Sequence, residues 1–175
     1  MEKLSFRQRV LYWFGRLLAR IIYRVNSFGQ EHLPAGGFLL LPNHISLVDA
    51  IVLQAACPGR QIRYIIDEGF YRKPFLHPAL KLAGCIPITS RRAKDAVRAA
   101  ADAIRAGAIV CLFPEGQLTR TGTLLRLQRG YELIARASEA QVVPVWLDQL
   151  WGSVFSYKGG GLFRNRPKFP FPVTI

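Results

Sequence analysis

Three short stretches carry side chains able to do acid–base or anion-binding chemistry. In Asn43-His44-Ile45-Ser46-Leu47-Val48-Asp49, four residues separate an imidazole from a carboxylate. A carboxylate bonded to one ring nitrogen fixes the tautomer and raises basicity, so the other nitrogen can take a proton from an alcohol. Serine-hydrolase triads use the same physics, but no serine need be acylated when the attacking hydroxyl belongs to an acceptor molecule. The same residues also read as a capping box, Ser46 to Asp49, in which the carboxylate serves backbone amides. Phe113-Pro114-Glu115-Gly116 sets a second carboxylate beside a glycine that lets backbone approach a ligand, and by itself it equally describes an ordinary turn. Gly84-Cys85-Ile86-Pro87-Ile88-Thr89-Ser90-Arg91-Arg92 ends in two guanidiniums, which can clamp a phosphate or form a solvated basic loop.

The elements around these stretches alternate. After Pro34-Ala35-Gly36-Gly37, Phe38 to Leu41 is a continuous apolar run typical of a strand buried on both faces. Asn43 and His44 then lie in a loop, and helix signals begin at Ser46 and close at Pro58-Gly59. The pattern predicts a strand over 62–66, a helix over 74–83, a strand over 85–89, a helix over 93–106 stopped by Gly107, and a strand over 108–113. A helix over 125–138 and a strand over 142–146 follow. The expected fold is therefore α/β, a largely parallel sheet flanked by helices, with sites in strand-end loops. Residues 152–166 read as a loop or hairpin beside the sheet, and 172–175 as the start of a further strand in a polypeptide that continues.

Twenty-four Lys and Arg against eleven Asp and Glu leave a net charge of +13, which attracts anionic partners. With half of its 175 residues hydrophobic, the chain is neither a disordered polyelectrolyte nor a polytopic membrane protein. Cys57, Cys85 and Cys111 each sit in an apolar run without a CxxC pair, which suggests buried thiols rather than a zinc or redox site. Over residues 4–25, Val10, Leu11, Phe14, Leu17, Leu18, Ile21 and Ile22 share one helical face and Arg9, Arg16, Arg20 and Arg24 the other. The arginines rule out a spanning helix and a signal peptide. Residues 1–26 are thus expected to be a membrane-surface helix, inserting Phe14 and Leu18 and placing Arg16 and Arg20 against anionic lipid. The alternative is that the apolar face packs on the domain. Lipid rather than nucleic acid is the expected anionic partner, because the basic residues accompany an apolar face.

Taken together the motifs resemble the glycerolipid acyltransferase family that includes 1-acylglycerol-3-phosphate acyltransferases. His44 and Asp49 match its His-x4-Asp block, with Asn43 preceding; Gly84 and Ile86 match Gly-x-Ile; Phe113 to Gly116 match Phe-Pro-Glu-Gly; Val142-Val143-Pro144-Val145 match the final apolar-Pro block. The resemblance implies a glycerol-3-phosphate acyltransferase-like fold over residues 27–175, with His44 as base, Asp49 as its orienter, and Glu115, Gly116, Asn43, Arg91, Arg92 and Arg120 binding substrate. It implies no metal and no cofactor, with acyl-ACP or acyl-CoA as co-substrate and a peripheral place on the cytoplasmic face of the inner membrane. Amides of the helix start after Ser46 are expected to help an oxyanion. Two departures bear on the acceptor: Arg91 comes late after Gly84, and Gln117-Leu118-Thr119 precede Arg120 where many members place an Arg directly after Glu-Gly-Thr. This run is closest to the acyltransferase half of bacterial bifunctional 2-acylglycerophosphoethanolamine acyltransferase/acyl-carrier-protein synthetases. The expected acceptor is accordingly lysophosphatidylethanolamine, with a fused synthetase domain downstream; the alternative acceptor is 1-acylglycerol 3-phosphate, giving phosphatidic acid. A basic membrane-binding module without activity explains the charge and the helix but not the ordered blocks.

Overall fold

The computed structural model describes residues 5–57, 59–167 and 170–175; the side chain of Arg20, one of the expected lipid contacts, lies outside the described residues. In chain order the elements are α1 (Phe6–Ile22), β1 (Tyr23–Asn26), β2 (Phe38–Pro42), α2 (Asp49–Ala56), β3 (Ile62–Asp67), α3 (Glu68–Tyr71), α4 (His77–Leu82), β4 (Ile86–Ile88), α5 (Ala93–Arg105), β5 (Ile109–Cys111), α6 (Gly130–Ser138), β6 (Val142–Val145) and β7 (Phe171–Thr174). Strands β4-β3-β5-β2-β6 form one all-parallel sheet in that order. The chain has the α/β architecture expected from its alternating pattern.

Because successive strand side chains point to opposite faces, β2 feeds two cores. Phe38 and Leu40 join Ile62, Tyr64, Ile109 and Cys111 beneath α2, while Leu39 joins Ile65, Ile86 and Val110 beneath α5 and α6. Alanines 96, 100 and 103 give α5 a flat buried face, so it packs close to the sheet. That closeness reaches its limit at Gly37, where a Cβ would stand 2.0 Å from the Ile104 carbonyl oxygen.

The N-terminal helix departs from expectation at its end. It stops at Ile22, and Tyr23 to Asn26 form a strand paired in parallel with β7. Tyr23, Arg24 and Val25 suit an extended ladder as well as a helix, and the choice is made by a partner strand well over a hundred residues away in sequence. The helix then lies on α2 and on the end of α4, where Gln8 Nε2 donates to the Leu82 carbonyl at 3.1 Å and Ala19 is fully covered. Its apolar stripe does not pack on the domain: Trp13 is 67% exposed and Ile21 65%, with Phe6, Val10, Phe14, Leu17 and Leu18 also open. Arg16 is turned the other way, half-buried with its Nε closed off from solvent, so the structure does not present it with Phe14 and Leu18 as a surface contact. Among the described residues, no helix is long and apolar enough to cross a membrane.

Three helices start later than predicted, α2 at Asp49 rather than Ser46 and then α4 and α6. Leu76 and His77 amides fold onto the Lys73 carbonyl, so Pro74 to Leu76 form a turn before α4. The stretch before α6 stays extended because its amides are bonded elsewhere: Leu125 N–H to Glu115 and Gln128 N–H to the Pro114 carbonyl.

Candidate active site

The loop after β2 and the loop after β5 meet where their parallel strands end side by side. His44 Nδ1 lies 2.8 Å from Asp49 Oδ2, with the imidazole 21% exposed and the carboxylate buried. Asp49 also accepts from the Ile45 amide at 2.7 Å and from the Ser46 amide at 3.0 and 3.1 Å. Asp49 therefore serves both the imidazole and backbone amides, but no capping box forms: the N-cap of α2 is Val48, and the Ser46 hydroxyl lies 3.3 Å from the Ser153 hydroxyl. The carboxylate holds both the imidazole and the turn that carries it. Burial pushes its carboxyl pKa up, and the hydrogen bond and charge of His44, then the Ser46 and Ile45 amides, pull against that shift.

With Nδ1 engaged, Nε2 is the nitrogen left for a substrate. Phe113 stacks on the ring at 4.0 Å between centroids and 20° between planes, fixing its orientation from the second loop. His44 opens into a cavity of about 480 Å³ lined by Leu47, Ile66, Phe70, Ile88 and Phe113, with Gly116, Thr89 and Ser90 also contributing. The walls are chiefly apolar.

Several residues expected to touch substrate are used in other ways. Asn43 is buried; its Oδ1 accepts from the Leu147 amide at 2.6 Å and its Nδ2 donates to the Leu147 carbonyl at 3.0 Å, so it ties the His44 loop to the end of β6. Glu115 is 3% exposed and accepts from the amides of His44 at 2.6 Å and Leu125 at 2.8 Å. Gly116 does reach the cavity, at φ +70°, a backbone conformation that favours glycine. Arg91 and Arg92 belong to a short 3₁₀ turn that ends outside the cavity wall; Arg92 pairs with Asp95 at 3.0 Å instead. The turn offers Thr89 and Ser90 to the cavity, not the guanidiniums. Arg120 is exposed over the Tyr157 ring at 5.5 Å, one residue from Thr119, whose amide donates to the His44 carbonyl at 2.9 Å.

Part of the expected oxyanion amide set is committed. The amides of His44, Ile45 and Ser46, just before the helix start, go to Glu115, Asp49 and Asp49 again; after Ser46, the Asp49 amide goes to the Ser46 carbonyl and the Leu47 amide to the Phe155 carbonyl. Sequence reasoning missed the segment responsible for the last of these. Ser153 and Ser156 are buried against Ser46, and Asn165 Nδ2 donates to the Ser153 and Ser156 carbonyls, so residues 152–166 form a wall beside the dyad. Its serines and asparagine follow no periodic pattern that would have marked them. Among the described residues, no three His, Cys, Asp or Glu side chains gather into a metal site.

The acyltransferase family model matches residues 24–148, a span that holds both the His–Asp pair and the Pro-Glu-Gly turn, and the chain belongs to that family. Among its relatives is the chloroplastic 1-acyl-sn-glycerol-3-phosphate acyltransferase LPAT1 of Arabidopsis thaliana, 26% identical over 81% of this chain and 42% of the relative. The 1-acyl-sn-glycerol-3-phosphate acyltransferase of Borreliella burgdorferi is 27% identical over 68% of this chain and 49% of its own length. The chain thus spans about half the length of the curated relatives it matches. Its fold is that of the 1-acyl-sn-glycerophosphate acyltransferase PlsC from Thermotoga maritima, with a TM-score of 0.74 and 21% identity over 95% of this chain and 65% of the other.

Proposed function

We propose that the protein transfers a fatty acyl group from a thioester to the free hydroxyl of 1-acylglycerol 3-phosphate, making phosphatidic acid at a lipid surface. One observation carries this reading: a buried carboxylate holds Nδ1 of an imidazole that opens into a chiefly apolar cavity. Nε2 of His44 takes the hydroxyl proton as the oxygen attacks the thioester carbonyl, and Asp49 stabilises the imidazolium that forms. Collapse of the tetrahedral intermediate expels the thiolate of coenzyme A or of acyl carrier protein, and the imidazolium returns the proton to that sulfur. The cavity is within the size range of small-molecule sites and suits an alkyl chain. The names of the relatives favour a lysophosphatidate acceptor over the lysophosphatidylethanolamine expected from the Gln117-Leu118-Thr119-Arg120 run.

The outward stripe of α1 supports a peripheral place on the membrane. Phe6, Val10, Trp13, Phe14, Leu17 and Ile21 form an apolar band with no protein covering it, on a chain of net charge +13. The assay is product analysis by mass spectrometry with purified protein, both lysolipids, and acyl-CoA and acyl-ACP in parallel. Phosphatidic acid is the expected product. Acylation of lysophosphatidylethanolamine alone would reject the acceptor, and no product from any pair would reject the activity.

A further inference from the structure

We propose that Glu115 is a positioning residue for the base rather than a ligand of the acceptor, a clasp that suspends the His44 peptide from the loop after β5. The inference rests on the acyl-transfer reading for its kinetic consequence but on geometry for its existence. The Phe113 carbonyl accepts from the Gly116 amide at 3.1 Å, closing a turn with Pro114 at its second position, where a fixed φ favours the bend. That turn sends the Glu115 side chain inward, 3% exposed, and leaves Gly116 facing the cavity.

Oε1 then accepts from the His44 amide at 2.6 Å and Oε2 from the Leu125 amide at 2.8 Å. The His44 carbonyl, at the other end of the same residue, accepts from the Thr119 amide at 2.9 Å. Both backbone polar groups of the base are thus held by residues 115–119, and the same carboxylate pulls Leu125 in, so residues 116–125 close as a loop pinned at both ends. Charge agrees with this assignment. From Gly116 to Tyr131 the chain has Arg120, Arg126 and Arg129 and no Asp or Glu, a field suited to an anionic headgroup, whereas a carboxylate set against a phosphate would repel it. Glu115 serves that surface by holding it in place.

The experiment compares Glu115→Gln and Glu115→Asp with wild type in steady-state kinetics on 1-acylglycerol 3-phosphate and in limited trypsin digestion followed by mass spectrometry. Gln keeps the size but sets an N–H against an amide N–H; Asp keeps the charge but is too short to span both amides. In both variants kcat is expected to fall roughly 10- to 100-fold, as a misplacement of about 1 Å costs in other sites, while KM for the acceptor stays within about twofold. Cleavage after Arg120, Arg126 and Arg129 is expected to accelerate in both. A rise in acceptor KM at unchanged kcat would overturn the proposal by placing Glu115 on the substrate, and unchanged digestion would overturn it by removing the clasp. Should wild type transfer no acyl group, the functional reading fails and the digestion pattern still decides the clasp.

Discussion

Asp49→Asn separates the two duties of the buried carboxylate because the amide keeps its shape and loses its charge. Placed with its oxygen at the Oδ2 position, Asn retains the bonds from His44 Nδ1, Ile45 and Ser46, and sets its buried NH2 against the Ser46 amide where Oδ1 accepted at 3.1 Å. A buried donor left unsatisfied costs about 1–3 kcal/mol, which for a chain of this size lowers Tm by roughly 2–12 °C. The kinetic effect is much larger. At 2.8 Å and an effective dielectric constant of about 20, the attraction between an imidazolium and the Asp49 carboxylate is about 6 kcal/mol. A neutral hydrogen bond recovers about 1 kcal/mol, so the expected fall in kcat is roughly 10³- to 10⁴-fold. The assay pairs initial-rate measurement of acyl transfer with thermal denaturation of the same preparations. Full activity at an unchanged Tm would refute the dyad. Loss of Tm by more than about 15 °C, with activity following the folded fraction, would reduce Asp49 to a backbone cap. A third readout uses the pH dependence. A carboxyl raised by burial contributes stability present below its unfolded value and lost as pH rises through its folded value. The uncharged Asn lacks that slope, so the Tm gap between wild type and variant should narrow as pH rises through this window.

Replacing Trp13 and Phe14 together by Ser should leave Tm within a few degrees, since both are exposed, and should reduce co-sedimentation with anionic vesicles at least tenfold; unchanged binding would dismiss α1 as the contact. Gly37→Ala, which sets a Cβ 2.0 Å from the Ile104 carbonyl oxygen, should cost about 1–3 kcal/mol by denaturant titration, whereas a neutral result would show that α5 shifts freely. Burial pushes the Cys85 thiol up to about 11 and raises Cys111 too, so thiolate is scarce there at pH 8 and Ellman's reagent should reach these two only as the protein unfolds, leaving the half-buried Cys57 as the thiol that reacts in the native state. Fast labelling of Cys85 at pH 8 would contradict that burial.

Local spacing made much of the molecule legible. The apolar runs at 38–41 and 108–113 announced buried strands, because a parallel sheet covered by helices needs such continuous apolar segments. His44 and Asp49 were legible as a pair because the bonds that join them span only a few residues, and a turn of that length forms one arrangement from either end. Long-range bonds were not legible. Nothing local in Asn43 or Glu115 reveals that their partners are Leu147 and His44 with Leu125, and these polar groups were therefore read as free for substrate.

The N-terminal helix shows the same division. Its amphipathic pattern fixed that an apolar stripe exists, since periodicity is a property of the segment alone. Whether that stripe faces the core or solvent, and whether Tyr23 to Asn26 end as helix or strand, depended on where α2, α4 and β7 offer a surface. Sequence by itself determined most of the elements and the pairing of His44 with Asp49, because both arise from neighbours along the chain. Tertiary structure alone decided which polar groups remain free for a substrate, because each buried amide and carbonyl must find a partner and most of those partners are distant in sequence.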